Sequence, residues 1–213
     1  MSATIIVTGT DTGVGKTVFS AGLAQLLDGE YWKPIQAGLA TETDSDTVRR
    51  LSGLPSERIL FEAWRLRTPA SPHWAAEIDQ TPIDPESLSL PVSSRPVIVE
   101  GVGGLLVPLT RRTLLIDVLA RWGAPTVLCA RTSLGTINHT LLSIEALRRR
   151  VIPLLGVAFI GDPHPDNERT IAAMGIVPIL GRLPRLDPLT RDSLLEAFSR
   201  AFSADAFLGR DAR

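Results

Sequence analysis

The chain has 213 residues, of which 44% are hydrophobic and 21% are charged, the usual balance of one globular domain. Its formal net charge of −1 gives no electrostatic reason to expect binding to nucleic acid or to an anionic membrane. No signal peptide and no apolar run near about 18 residues is present, so the sequence predicts a cytoplasmic protein without a membrane segment.

Apolar segments rich in β-branched residues alternate with segments of helical periodicity. Strands are predicted in TIIVTG, EYWKPI, RILFEAW, PVIVEG, PTVLCA, LLGVAFIG and IVPILG. Helices are predicted in VFSAGLAQLL, DTVRRLSG, TLLIDVLARWG, TINHTLLSIEALRRR and NERTIAAMG. Because the strands are apolar throughout, the sequence predicts a three-layer α/β fold with a mostly parallel central sheet. We expect a single domain over residues 1–213, with residues 69–96 as a long excursion and the tail after about Ser203 frayed.

The Gly-rich segment GTDTGVGKT, residues 9–17, lies between the first predicted strand and the first predicted helix. Such a turn binds phosphate through backbone N–H groups and the helix N-terminus, so Gly13 and Gly15 leave room for close approach. Lys16 is expected to reach the β- and γ-phosphates and Thr17 to bind Mg²⁺. The spacing departs from G-x-x-x-x-G-K-[ST], because the earlier glycine is Gly9 rather than residue 10, and a plain Gly-rich turn stays an alternative.

Lysine is rare in this chain. Lys and Arg total 22, and Lys occurs only at positions 16 and 33, so 20 of them are arginine. An ammonium is a compact point charge that fits a tight phosphate site, whereas a guanidinium is a broad planar fork. Lys33 follows a predicted strand at the sheet edge where ligands bind, so it is expected to face the same crevice as Lys16. The alternative is an incidental surface lysine.

Three carboxylates are candidates for the site. Glu100 ends the apolar strand PVIVEG, where burial of an acid is costly unless it meets a cation. Asp44 and Asp46 precede a predicted helix, where helix capping is the alternative role. The single cysteine, Cys129, lies in an apolar run and is expected to be a buried hydrophobe, which leaves no disulfide.

Several motifs occur in the order and at about the spacing found in the dethiobiotin synthetase family: VTGTDTGVGKT, KPIQAG, SDTVRRL, TPASPH, VIVEGVGGLLVPL, LGTINHTLLSIEAL and LGRLP. The chain resembles that family over roughly residues 4–186. The resemblance implies a P-loop NTPase fold and Mg²⁺- and ATP-dependent ring closure of 7,8-diaminopelargonic acid with CO₂. The products are dethiobiotin, ADP and phosphate, formed through a carbamate and a carbamic-phosphoric anhydride.

The resemblance also implies roles for particular residues. Lys16 and Lys33 match the catalytic lysines, Thr17, Asp46 and Glu100 match the Mg²⁺ ligands, and Asp44 is then the expected helix cap. The residues expected to contact ATP are Gly13, Val14, Gly15, Lys16, Thr17, Val18, Asp46, Glu100, Gly101, Val102, Gly103, Gly161, Pro184, Arg185 and Leu186. The residues expected to contact the diamine are Lys33, Ala37, Gly38, Gly135, Thr136, Ile137 and Asn138.

The start of the helix TINHTLLSIEALRRR is expected to leave free N–H groups at Thr136, Ile137 and Asn138 that bind the substrate carboxylate. In the resembling family this anchor comes from the second subunit, so the resemblance implies a homodimer with a shared active site. Three positions depart from the family pattern. Gly13 stands where members often have Glu, Ala37 where many have Ser, and Ile160 where members that read adenine have Asn. Selectivity for ATP is therefore expected to be relaxed.

Two other functions are compatible with the same fold. A partitioning-type switch ATPase is expected to carry a second lysine near the start of the phosphate loop, where this chain has Thr10 and Asp11. A GTP-binding switch needs an N-K-x-D motif, for which no lysine remains. The partitioning-type ATPase stays the alternative to synthetase activity.

Overall fold

The computed structural model describes residues 3–209. Its strands, in chain order, are β1 (Thr4–Gly9), β2 (Glu30–Trp32), β3 (Ile35–Ala37), β4 (Ile59–Leu60), β5 (Trp64–Leu66), β6 (Val97–Glu100), β7 (Thr126–Arg131), β8 (Leu154–Ile160) and β9 (Ile179–Leu183). Its helices are α1 (Lys16–Leu26), α2 (Asp44–Ser52), α3 (Pro72–Asp79), α4 (Leu115–Trp122), α5 (Thr136–Arg149), α6 (Pro165–Gly175), α7 (Arg191–Ala201) and α8 (Ala204–Leu208).

A parallel sheet of seven strands lies in the middle of the molecule, in the order β4-β2-β6-β1-β7-β8-β9. Each neighbouring pair in it is parallel. Strands β3 and β5 form a separate two-stranded parallel sheet. The predicted mostly parallel sheet is therefore confirmed.

Both faces of the central sheet are covered, because its strands are apolar on both sides. On β1, Ile5 and Val7 pack with residues of α1, α2 and α7, whereas Ile6 packs with residues of α3 and α4. A third cluster packs β7 and β8 against α5 and α6. All three β1 residues have no exposed surface. This arrangement confirms the predicted three layers.

Two predicted strands are each divided in the structure. EYWKPI was expected to be one strand, but β2 ends at Trp32 and β3 begins at Ile35 in the other sheet. Pro34 has no N–H for the ladder, so the strand cannot continue through it. RILFEAW divides in the same way into β4 and β5, with Phe61 exposed between them. The division frees Lys33 from the sheet and lets its side chain turn into the site.

The expectation of a frayed tail after Ser203 is wrong for residues 204–209. These residues form α8, and Phe207 is buried against the ring of Phe19 on α1 at a centroid distance of 6.1 Å. Aromatic burial of this size outweighs the entropy of ordering a short segment. Residues 210–213 lie outside the described part of the chain.

The register of the sheet brings the candidate residues to one edge. Val7 of β1 is level with Glu100 of β6, and Trp32 of β2 is level with Val99. The phosphate loop, Lys33 and Glu100 therefore all stand at the carboxyl ends of neighbouring parallel strands, where ligands bind in open α/β sheets.

Candidate active site

The Gly-rich loop joins β1 to α1 and has the backbone shape that its glycines require. Gly13 has φ +71° and Gly15 has φ +101°, both in the left-handed region that favours glycine. Gly9 is needed for a different reason, because a Cβ there would come within 2.7 Å of the Val14 side chain. The displaced first glycine of the motif is therefore explained by the packing of Val14, whose side chain faces the core.

Lys16 is the first residue of α1 and is buried beneath the loop. Its Nζ donates to the carbonyl oxygen of Asp11 at 2.9 Å. Burial lowers the pKa of the Lys16 ammonium, and the nearby charge of Lys33 lowers it further. A phosphate oxygen near this nitrogen would replace the carbonyl as a charged acceptor and would favour the protonated form of the lysine.

A buried cluster of charged and polar side chains lies next to the loop. Thr17 Oγ1 lies 2.9 Å from Glu100 Oε1 and 3.0 Å from Asp44 Oδ1, so its single proton has two carboxylate acceptors within hydrogen-bond distance. Lys33 Nζ lies 2.6 Å from Asp44 Oδ2 and 2.9 Å from Glu100 Oε1. The second oxygen of Glu100, Oε2, accepts from Tyr31 Oη at 2.9 Å. Each of these side chains is thus fixed by at least one charged partner.

The charges in this cluster support one another. Burial by itself lowers the pKa of Lys33, but the Glu100 and Asp44 carboxylates outweigh it and hold the pKa above its ordinary value. Burial raises the pKa of Asp44, but the Lys33 charge outweighs that effect and holds the pKa below its usual range. Burial and the charge of Glu100 keep the pKa of Tyr31 well above that of a free phenol. Lys33 is therefore a cation and Tyr31 a proton donor at neutral pH.

The structure corrects the placement of the two aspartates before α2. Asp44, the expected helix cap, reaches the cluster, and its backbone N–H donates to Gln36 Oε1 at 3.2 Å. Asp46, the expected neighbour of Mg²⁺, forms a capping box with Thr43 and pairs with Arg49 at 2.6 Å. The T-x-x-D spacing from Thr43 to Asp46 is the sequence signature of such a cap and could have indicated this arrangement.

A cleft of about 660 Å³ connects the loop with this cluster. As expected, Lys16 and Lys33 both line it. Other predicted residues in its wall are Gly13, Gly15, Thr17, Val18, Ala37, Glu100, Val102 and Gly103. Gly101 and Gly38 adjoin the wall in sequence, and the Gly101 carbonyl lies 3.3 Å from Lys33 Nζ.

The single cysteine, Cys129, lies in β7 and is a fully buried free thiol, as expected. Burial raises its pKa.

The residues predicted to frame the base are not part of the wall of the 660 Å³ cleft. Pro184 and Leu186 border a separate hollow of about 570 Å³ against α7. Gly161 stands at the end of β8, and its carbonyl oxygen accepts from Arg182 Nη1 at 2.9 Å. Ile160, the last residue of β8, packs against the phosphate loop. A Cβ added to Gly15 would lie 2.9 Å from Ile160 Cγ2. Arg185, between Pro184 and Leu186, is exposed.

The start of α5 lies outside the wall of the 660 Å³ cleft in the described part of the chain. Gly135 is the N-cap residue, with φ +93°, and it is exposed together with Asn138. The expectation of a free N–H at Thr136 is wrong, because that group donates to the Ser133 carbonyl oxygen at 3.1 Å. The Thr136 hydroxyl is also engaged, donating to the carbonyl of Arg131. Ile137 is half-buried behind them.

Across residues 3–209, no helix is both long enough and apolar enough to cross a membrane.

Comparison with known proteins gives consistent matches over almost the whole chain. The AAA domain family matches residues 3–193. The ATP-dependent dethiobiotin synthetase of Rhodopseudomonas palustris strain BisA53 is 66% identical over 207 residues, which are 97% of each chain. That of Bradyrhizobium diazoefficiens is 61% identical over 209 residues, which are 98% of this chain and 99% of the relative.

Solved structures are similar at a greater distance. The cell division ATPase MinD of Pyrococcus furiosus superposes with a TM-score of 0.53 and 16% identity, over 92% of this chain and 89% of its own. A ParA family ATPase of Chlorobium tepidum gives a TM-score of 0.51 with 12% identity, over 93% and 90% of the two chains. At such identity the likeness shows the P-loop fold alone and gives no support to a partitioning function.

Proposed function

Because this chain belongs to the ATP-dependent dethiobiotin synthetase family of ligases, we propose that its cleft holds Mg²⁺, ATP and 7,8-diaminopelargonic acid together. The observation that carries this proposal is the cluster in which Lys33, Asp44, Glu100 and Thr17 meet beside the phosphate loop. It joins a fixed cation and two carboxylates at the point where a γ-phosphate on the loop would end.

The donor set fits Mg²⁺. Thr17 Oγ1 lies 3.0 Å or less from one oxygen of Asp44 and one of Glu100, and all three are hard oxygen ligands. We therefore assign the metal to Thr17, Asp44 and Glu100, with Asp44 in the role first expected of Asp46. When bound, the ion supplies positive charge to the phosphate oxygens of ATP. In the structure the Lys33 ammonium contacts both of these carboxylates.

The proposed chemistry begins with a carbamate, formed when an amine of the substrate adds to CO₂. Lys33 is positioned to hold the carbamate and to neutralise charge as its oxygen attacks the γ-phosphorus and ADP leaves. Lys16 and the loop N–H groups hold the phosphate oxygens. The second amine then attacks the carbonyl carbon of the mixed anhydride, the C–O bond breaks, and phosphate leaves as the ureido ring closes. Most of the catalysis is positioning and charge stabilisation.

We also propose that two copies of the chain share each site and that the enzyme works in the cytoplasm. A groove of about 400 Å³ beside the cleft is lined by Thr10, Asp11 and apolar residues that include Leu106 and Leu142, both more than half exposed. A second copy seated there would cover these leucines. Its Gly135–Asn138 turn would then lie near the cleft, so the Ile137 and Asn138 N–H groups could bind the substrate carboxylate.

The direct test is an assay with Mg²⁺, ATP, bicarbonate and 7,8-diaminopelargonic acid. We expect dethiobiotin, ADP and phosphate in equal amounts. Phosphate release that does not require the diamine, with no dethiobiotin, would contradict the proposal and favour a switch ATPase.

The corrected metal assignment gives a paired prediction. Asp44→Asn is expected to lower kcat by about tenfold to a hundredfold and to raise the Mg²⁺ concentration needed for half-maximal rate, because the cluster loses a carboxylate. Asp46→Asn is the matched control, since it changes the same group two residues away. It is expected to keep kcat and to cost about 0.5–2 kcal/mol of unfolding free energy through the weakened cap. The reverse pattern in kcat would restore Asp46 as the ligand.

A prediction about nucleotide choice follows from Ile160. An aliphatic side chain at this position cannot hydrogen-bond to adenine, and the Gly161 carbonyl is already paired with Arg182. We expect CTP and GTP to support ring closure with kcat/KM within about a hundredfold of the value for ATP. Steady-state kinetics with each nucleotide tests this. A larger preference for ATP would show that other groups read the base.

A further inference from the structure

Tyr31 is the only tyrosine in the chain, and it lies in the hydrophobic core. Its side chain has no exposed surface and packs among the apolar residues between the sheet and helices α1 and α2. A buried hydroxyl costs free energy unless it is hydrogen-bonded. This one donates to Glu100 Oε2 at 2.9 Å, across from β2 to β6.

The two oxygens of Glu100 have different surroundings. Oε1 accepts from Thr17 and Lys33, both of which line the cleft. Oε2 points the other way and accepts from Tyr31 in the core. The Tyr31 hydroxyl therefore fixes the rotation of the carboxylate group, so that one chosen oxygen faces the cleft. Without it, the carboxylate could turn and bring both oxygens to the Lys33 ammonium.

We infer that Tyr31 is a positioning residue, which orients Glu100 so that only Oε1 is presented to Mg²⁺. This inference rests on the proposed function for the identity of the metal and for its assignment to Glu100. Mg²⁺ requires near-octahedral geometry with short distances, so it is sensitive to the angle of each oxygen ligand. Groups that hydrogen-bond to a metal ligand typically contribute tenfold to a hundredfold to metal affinity or activity.

The test compares nucleotide binding with and without the metal. For each protein, the affinity for a nonhydrolysable ATP analogue is measured calorimetrically in excess Mg²⁺ and again in EDTA. The dissociation constant in EDTA divided by that in Mg²⁺, called here the Mg²⁺ ratio, reports the metal's contribution. In Tyr31→Phe, which keeps the ring, we expect this ratio to fall about tenfold or more while the affinity in EDTA changes by less than about twofold. The KM for the diamine should be unchanged and kcat should fall.

Thr126→Val is the matched control. Thr126 is also fully buried, and its hydroxyl donates to the Ala124 carbonyl oxygen at the opposite end of the sheet. This variant is expected to lose thermal stability without any change in the Mg²⁺ ratio. An unchanged ratio in Tyr31→Phe, with a loss of stability like that of Thr126→Val, would overturn the inference and leave Tyr31 a purely structural residue.

The single tyrosine allows a second measurement on the unaltered chain. Labelling with ¹³Cζ-tyrosine gives one NMR signal, and we expect it to shift when Mg²⁺ is added to the complex with the analogue, because the metal polarises the carboxylate that accepts the hydrogen bond. A signal that does not respond would overturn the inference, as would a wild-type ratio that shows no contribution from Mg²⁺. Failure of ring closure with a normal Mg²⁺ ratio would instead refute the proposed reaction and leave the role of Tyr31 standing.

Discussion

Replacing Lys33 with arginine is expected to lower kcat for ring closure by about two to three orders of magnitude, although the charge is kept. The ammonium has two carboxylate oxygens within 2.9 Å and the Gly101 carbonyl at 3.3 Å, and only 3% of the residue is exposed. A planar guanidinium is wider than this space and would bind the two carboxylates as a fork. It would then be held away from the carbamate and would compete with Mg²⁺ for the same oxygens.

The measurement is kcat from dethiobiotin formation, with circular dichroism and ATP-analogue binding in EDTA as evidence that the fold and the phosphate loop are intact. Arg169→Lys, a swap in the reverse direction at an exposed ion pair on α6, is the control and should leave kcat unchanged. Near wild-type turnover in Lys33→Arg would show that any positive charge is sufficient and would contradict the requirement for a compact ammonium.

Mixing two poorly active variants, Lys33→Ala and Gly135→Asp, is expected to restore about one quarter of wild-type activity. Random exchange of subunits makes half of the dimers mixed, and in each of them one site carries both changes while the other carries neither. Gly135→Asp should act by placing a negative charge where the substrate carboxylate docks. Space is available for it, since no atom lies within 4 Å of a Cβ at Gly135.

The controls for this experiment separate charge from backbone strain. Gly135 has φ +93°, which Asn and Asp tolerate better than other side chains, so Gly135→Asn is the neutral comparison. It should retain a much lower KM for the diamine than Gly135→Asp. Native mass spectrometry of isotopically labelled subunits verifies the exchange. Complete exchange without recovered activity would mean that each site belongs to one chain.

The sequence predicted the layers of the fold well because the strands are uniformly apolar and the helices periodic, which are local properties. The prediction from sequence was wrong where two neighbouring residues suited the same role. Asp44 and Asp46 both suited a helix start, and only the tertiary position of Lys33 shows which aspartate is turned inward. Pro34 divides a segment whose apolar residues alone predict one continuous strand.

Contacts between distant segments were beyond any pattern in the sequence. The Tyr31 hydroxyl and Glu100 are 69 residues apart, and nothing near Tyr31 marks it as more than a core aromatic. The N–H of Thr136 is a local exception, because its acceptor, the Ser133 carbonyl oxygen, lies only three residues earlier. The short α8 was missed because Phe207 finds its partner on α1, near the other end of the chain.

The position of β1 in the sheet has a consequence for the order of folding. This strand precedes the phosphate loop, and both of its partners lie far later in the chain, Val97–Glu100 on one side and Thr126–Arg131 on the other. Until Val97–Glu100 has left the ribosome, Ile5, Ile6 and Val7 have neither of their partner strands, and the second partner follows later still. Pairing over such separations is slow, because the chain must close long loops before it gains any contact. A nascent chain therefore cannot bind nucleotide at the phosphate loop until segments made much later have joined the sheet.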